Sequence, residues 1–488
     1  MARGTATKKP AKKANGASQP ATGATAAANG GKAHGTLRVR MYRIGFGDFF
    51  LLTVPTKSGP QHILIDCGVH AGNIGTIGAC VQDLVKETGR KLALVIATHF
   101  HADHLSGFAT HFDEFAKFEV GAVWITNRLD PGDKHAMKFQ AQLTSLAHQL
   151  ALQLGARDDE AGRQALDKVQ NALGVQLGAA GDGHNARALQ LLRSGFKNKP
   201  PVYYYQGGDH PVLPDVLKGA ITAQLLGPSP KDSNGEFSAT DNRTEQYLAA
   251  AAEQGISGET VTPFEKEWPA SAADYPPEVF GSFRTDEQID ARAIGRPADL
   301  EARLAAVQPD VLAATADALD GTLNNQSLVV LFTCKGKKLL FVGDAQWGNW
   351  EFWLYGKAVT GKDPGITATA KGILGSIDFY KVGHHGSTNA TPIPAVGALN
   401  QTCVAMCSTE MGDPPNRARP YGDPKKGTEV PRTKLMDALE KQTNNKLVRS
   451  DWIGVTGFPA AKEAHAELPK LPNNFSTGPL YIDYVFPK

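Results

Sequence analysis

The chain has 488 residues, of which 41% are hydrophobic and 20% charged, with a formal net charge of +2. That is the composition of a globular protein, longer than one ordinary core without insertions or a second domain. No window approaches the roughly 18 uncharged apolar residues of a bilayer-crossing helix, and five cysteines with no CxxC pair speak against a disulfide framework or a thiolate zinc site and fit a cytoplasmic protein.

Residues 1–35 hold Ala, Gly, Thr, Lys, Asn and Pro with no aromatic residue and, Met1 apart, no aliphatic one larger than Ala. Such a segment cannot bury enough apolar surface to offset its ordering entropy and reads as a disordered basic tail without the features of a secretory or transit signal. It carries +6, which leaves −4 for the rest. The tail is a solubilising spacer or a weak electrostatic contact for a polyanion.

Short apolar, β-branched runs then follow at residues 36–45, 48–54, 61–68, 91–99 and 120–126, and 77–89 has helical spacing. Residues 134–196 are rich in Ala, Leu and Gln at helical period and read as a helical insertion. A second insertion, about 231–322, joins a Gly, Ser and Asp-rich loop to another helical pattern. Between and after the insertions come further strand signals in "AITAQLLG", "SLVVLFTC", "KKLLFVGD", "SIDFYKVGHH" and "TCVAMCS", then a helix in "VPRTKLMDALEKQ". This order predicts two β-sheets with helices on their outer faces. The domain is expected to run from 36 to 460, with 461–488 as a C-terminal extension.

The strongest local signal is "ATHFHADHLSG", which places three of the chain's 14 histidines and an aspartate in six consecutive positions. It lies where an apolar strand ends and a helix begins. His99 and His101 can face one point from an extended loop, and Asp103 and His104 a second point nearby. Imidazole nitrogen and carboxylate oxygen are ligands for zinc and similar divalent cations. A chance H-x-H-x-D-H occurs in on the order of one chain in a thousand of this length. Four ligands so close suit two adjacent ions better than one. Later strands should complete the set: "KKLLFVGD" ends in Asp344, and "FYKVGHHGS" in His384 and His385, polar residues directly after buried runs.

The H-F-H-A-D-H stretch resembles the motif of the metallo-β-lactamase-fold hydrolases. The wider pattern is similar to the metallohydrolase domain of ComEC-type DNA-uptake competence proteins: "RIGFGDFFLL", "ILIDCG", "NNQSLVVLF", "LLFVGD" and "KVGHHGS" fall in the corresponding order. The likeness covers about 36–128, 200–230 and 322–460. It implies an αββα sandwich with a two-metal site at one edge of the paired sheets, holding two divalent ions, Zn2+ by default with Mn2+ an alternative. Carried over residue by residue, His99 and His101 hold the first ion, Asp103, His104 and His384 the second, and Asp344 bridges them. Asp66 and Thr98 orient ligands; His385 and Ser387 meet the substrate or aid the leaving group. Asp48 caps backbone amides. Many members of the superfamily have another metal-binding histidine before the bridging aspartate, for which His210 and Asn325 are the candidates here. A second departure is "YGDPKKGTEVPRTKL", where ComEC-type domains typically read "YGHP".

The resemblance implies hydrolysis, in which two cations lower the pKa of a shared water from about 16 towards 7, Asp103 being needed for activity, with no separate Ser or Cys nucleophile. A phosphodiester in nucleic acid or a nucleotide is the favoured substrate. The body's charge of −4 argues against tight nonspecific polymer binding. A small ester, lactone or amide is the second reading, and a binding module without catalysis the third.

Overall fold

The computed structural model describes residues 35–70, 76–155, 157, 159–173, 184–230, 309–356, 365–411, 429–455 and 470–487. The expected tail, apart from Gly35, and most of the second insertion lie outside these residues, as does the whole "YGDPKKG" stretch.

Six strands, β1 (Arg38–Tyr42), β2 (Phe49–Thr56), β3 (Gly59–Cys67), β4 (Lys91–Ala97), β5 (Glu119–Thr126) and β6 (Val202–Tyr205), lie in one sheet. Another six form a second sheet: β7 (Ile221–Gly227), β8 (Val329–Cys334), β9 (Lys337–Phe341), β10 (Phe379–Lys381), β11 (Val404–Cys407) and β12 (Leu447–Arg449). The run β3-β4-β5-β6 is parallel, as is β9-β10-β11-β12. The inner strands β4, β5 and β11 are near-continuous apolar sequences because both of their faces are covered. In β4 all residues after Lys91 are buried.

Alternate residues explain the layers. Val39, Met41, Phe50, Leu52, Leu94, Ile96 and Trp124 of the first sheet pack against Leu225, Val330, Phe332, Phe341, Phe379 and Met406 of the second, and form the central core. Trp124 stacks on Phe332 with centroids 6.4 Å apart; truncating such a ring to Ala removes about 3–5 kcal/mol. On the outer face of the first sheet, Leu51, Leu64, Val95 and Val123 meet helices α1 (Ile77–Thr88), α2 (Ala102–Thr110) and α3 (Phe112–Phe115). In α1, Ile77, Cys80, Val81 and Leu84 make the buried stripe, and Gly89 at φ 59° closes the helix with a left-handed cap. The outer face of the second sheet meets α8 (Trp347–Tyr355), α9 (Ala368–Leu374), α10 (Ile393–Ala398) and α11 (Thr433–Gln442). The protein is a mixed α/β fold in four layers, helix, sheet, sheet, helix, as the order of its elements implies.

The first insertion contributes α4 (Lys134–Leu154), α5 (Glu160–Leu173) and α6 (His184–Gln190), and the described end of the second is α7 (Pro309–Asn324). Helices α4, α5 and α7 bury one another's Leu143, Leu150, Val169, Leu312 and Leu319 in a core of their own. The expected boundary at 196 needs adjustment, because Ala188, Leu191 and Phe196 pack into the first sheet's helical layer. The C-terminal segment is no extension. Strands β13 (Phe475–Thr477) and β14 (Tyr481–Val485) join the first sheet, β14 pairing antiparallel with β1 from Arg38↔Val485 to Tyr42↔Tyr481. Alternating apolar residues in "YIDYVF" carry that signal.

Candidate metal centre

The site forms where strands from both sheets end. His99 follows β4, Asp344 follows β9 and His385 follows β10, which lies beside β9 in parallel register, Tyr380 against Leu340. Leu328 N–H donates to Thr98 O across the two sheets at 2.9 Å, and Asp344 N–H donates to Ser327 Oγ at 3.0 Å. Close backbone packing sets α2 against the end of β3. A Cβ on Gly68 would lie 2.4 Å from the His104 backbone, and one on Gly107 would lie 2.5 Å from Cys67 Sγ. Larger residues at either place would push Asp103 and His104 out of position.

Ligand atoms of His99, Asp103, His104 and Asp344 lie within 4.8 Å of one another, and all four residues are buried. His99 and His101 have ring centroids 4.8 Å apart, and His99 and His104 4.2 Å. His99 Nε2, His101 Nε2, His104 Nε2, Asp103 Oδ1 and Asp344 Oδ2 have no hydrogen-bond partner although they are buried. His104 Nε2 and Asp344 Oδ2 are 2.9 Å apart without the alignment of a hydrogen bond. One buried unsatisfied polar atom costs about 1–3 kcal/mol. Those of His99, Asp103, His104 and Asp344 belong to one converging group, and His101, outside that group, stands beside it through its ring contact with His99; all are imidazole nitrogen or carboxylate oxygen, and the converging groups could hold a metal ion.

The opposite ring atoms are held. Asp66 accepts from Thr98 N–H and from Thr98 Oγ1–H, each at 2.8 Å, and its Oδ2 lies 2.8 Å from His104 Nδ1. His99 Nδ1 lies 3.1 Å from Thr98 Oγ1. With the Thr98 hydroxyl proton committed to Asp66, the His99 ring N–H donates to that oxygen. Both rings are thereby turned so that Nε2 faces the centre. Asp66 and Thr98 thus hold the outward ring atoms of His104 and His99.

The adjacent histidines exchange roles relative to the sequence reading. His385 is fully buried and places Nε2 3.1 Å from Asp103 Oδ2 and 3.5 Å from Asp344 Oδ2, while its Nδ1–H donates to Ser408 O at 2.9 Å. It completes the group expected of His384. His384 is half-buried: its Nδ1 meets Ser387 Oγ at 2.7 Å and its Nε2 is 3.3 Å from Asn324 Nδ2, with Gln346 and Asn389 also on Nδ1. The reason is backbone geometry, since His384 and His385 both adopt left-handed conformations, φ 42° and 52°. The turn sends the second ring inward. Ser387 supports His384.

Three further expectations are corrected. Among the described residues the Asp48 side chain caps no backbone amide; it pairs with the buried Lys381 Nζ. Asn325 Oδ1 accepts from Gln346 N–H at 3.2 Å and Asn349 N–H at 3.0 Å, which fixes the start of α8 rather than a ligand position. His210 is exposed on the loop after β6 and is not in the cluster.

Two charged residues escaped the sequence reading. Lys381 also donates to Gly343 O at 2.8 Å and lies 3.4 Å from Asp344 Oδ1. Its signal was a lysine inside the apolar "DFYKVG". Asp320, on α7, lies 3.9 Å from His101 Nε2, and its signal was a polar i, i+4 pair with Asn324 in an Ala-rich helix.

Electrostatics divide the histidines. Burial, with the neighbouring His104 and His101, pushes His99 well below the ordinary imidazole pKa; burial also lowers His101, against the pull of Asp320 and Asp103. Burial opposes charge on His104 and His385 as well, yet Asp344 and the other carboxylates around them outweigh it and raise both. Asp103 and Asp344, though buried, fall well below the usual carboxylate range, chiefly through His104.

Fold and site together define a mixed α/β protein with a buried His/Asp centre between two sheets. No family model matches the chain, and no curated protein matches it. Among the described residues no helix is long and apolar enough to cross a membrane.

Proposed function

We propose that the protein is a dinuclear metal-dependent hydrolase of the metallo-β-lactamase type, acting on phosphodiesters in nucleotides or nucleic acid. The observation that carries the reading is the convergence of buried ligand atoms of His99, Asp103, His104 and Asp344, with His101 beside His99 and its Nε2 without a hydrogen-bond partner. In this reading His99 and His101 would hold one ion and Asp103, His104 and His385 the other, with Asp344 available to either. Zinc suits this donor set. When bound, such ions acidify water and neutralise charge developing on the attacked group.

The chain's own residues do the rest. Asp66 and Thr98 fix the ring orientations of His104 and His99. Lys381 balances Asp48 and Asp344 and keeps their carboxylates in place. His384, supported by Ser387 and Asn389, stands at the half-open rim where it can meet a substrate oxygen or pass a proton to a leaving group. The motif order shared with ComEC-type domains favours a phosphodiester. A small ester is the second reading, supported by the cover of α4, α5 and α7, since Asn171 of α5 binds Asp103 N–H at 3.1 Å.

The test is metal analysis of the purified protein together with hydrolysis of DNA, RNA, cyclic dinucleotides, an aryl phosphodiester and carboxylic esters, wild type against Asp103→Ala. Bound metal and a phosphodiesterase activity lost in Asp103→Ala are expected. Turnover of esters alone moves the assignment to the second reading. Absence of any Asp103-dependent turnover would falsify the enzymatic one.

A further inference from the structure

The half of the centre around His101 is incomplete when built from the sandwich alone. His101 is 1% exposed, and its Nε2 has no hydrogen-bond partner. The carboxylate nearest to it comes from elsewhere: Asp320 Oδ1 of α7, at 3.9 Å. That separation is too long for a hydrogen bond. It is close to the spacing of two ligands on one cation, since nitrogen and oxygen bound to a tetrahedral zinc lie about 3.4 Å apart.

Asp320 is also aimed and held. Its Oδ2 accepts from Asn324 Nδ2 at 2.9 Å, one helical turn on, and Asn324 reaches His384. The residue is 9% exposed, its helix packs on α4 and α5 through Leu312, Ala316, Leu319 and Leu323, and Gln326, just beyond the helix, accepts from Gln140 of α4 at 2.8 Å. The carboxylate therefore points from an anchored helix at an orphaned imidazole nitrogen.

We propose that Asp320 is a ligand of the cation held by His99 and His101, so that the inserted helix α7 completes the metal centre from outside the sandwich. The inference rests on the dinuclear reading above. It makes the insertion part of the metal site as well as its roof, and assigns the third protein ligand on this side to a carboxylate.

The test is direct metal titration of the full chain, after chelation, with Zn2+ in competition with a chromophoric chelator and with Co2+ followed by its visible spectrum. Wild type is expected to bind two equivalents. Asp320→Asn should retain one and weaken the other by about 100-fold or more, beyond the 10- to 100-fold typical of residues that merely orient a ligand. Asp320→Glu, which keeps a carboxylate, should still bind two Co2+ with an altered visible band. Two equivalents at wild-type affinity in Asp320→Asn overturn the proposal and leave the hydrolase reading standing; no metal uptake by wild type overturns both. Should Asp320→Asn fail to fold, an unchanged Co2+ spectrum in Asp320→Glu overturns the proposal and a shifted one supports it.

Discussion

The two halves of the His/Asp centre are supported differently. Around His104 most outward atoms are tied to the sandwich: Nδ1 to Asp66, the neighbouring His385 to the Ser408 carbonyl, and the Asp103 backbone carbonyl to Asp48 N–H at 2.9 Å, while the Asp103 N–H donates to Asn171 of the inserted α5. Around His101 the framework is thinner. His99 leans on one threonine hydroxyl, and the carboxylate facing His101 comes from an inserted helix with its own small core. A rigid scaffold fixes one half, and the other depends on how a separate element docks. The first should therefore tolerate little change, and the second should be where affinity is tuned.

Several substitutions can break or sharpen this contrast. The largest effect is expected from Asp344→Asn, at the junction of the halves: loss of stable metal at both positions and of activity by on the order of 10³-fold or more, read by metal content and kcat. Next comes the histidine pair. His385→Ala should strip the second ion, whereas His384→Ala should leave metal content unchanged and lower kcat by about 10²-fold, as for a lost proton-transfer group. Metal loss in His384→Ala with metal retained in His385→Ala would return the pair to the roles first expected from sequence. Asp66→Asn leaves His104 in place but weakens the support of its Nδ1, and about 10- to 100-fold in affinity should be lost on the His104 side, with a smaller loss on the His99 side, whose Thr98 partner also bonds to Asp66. The smallest effect is a matter of pH. His104 and His385 have raised pKa values in the metal-free protein, whereas those of His99 and His101 are lowered. A cation binding to the first pair must displace protons, and its affinity falls as pH drops through their raised pKa values; the second pair is already neutral there. Titration calorimetry in buffers of different ionisation enthalpy should assign most of the released protons to one of the two ions.

Much of this arrangement was legible in advance because strand ends announce themselves. "LALVIATH" and "KKLLFVGD" each pass from buried apolar residues to a ligand-type side chain, and the layers followed from the order of such runs. Two adjacent histidines in "GHHGS" look alike in one dimension; which ring turns inward depends on backbone torsions that no periodicity reports. Asp320 was hidden for another reason. Its helix reads as an ordinary amphipathic insert, and only tertiary docking reveals that its polar turn faces His101. Strands β6, β12 and β13 are three or four residues long, below the length at which alternation becomes a signal.

Left-handed backbone at Asp66, His384 and His385, with φ of 55°, 42° and 52°, carries about 1–2 kcal/mol of steric penalty at each such residue. Glycine at any of the three would relax the chain and discard the side chain that the site uses. Foldedness and chemistry therefore pull against each other at these positions. Under selection for robustness alone, a copy in which these side chains served no purpose would drift towards glycine there first.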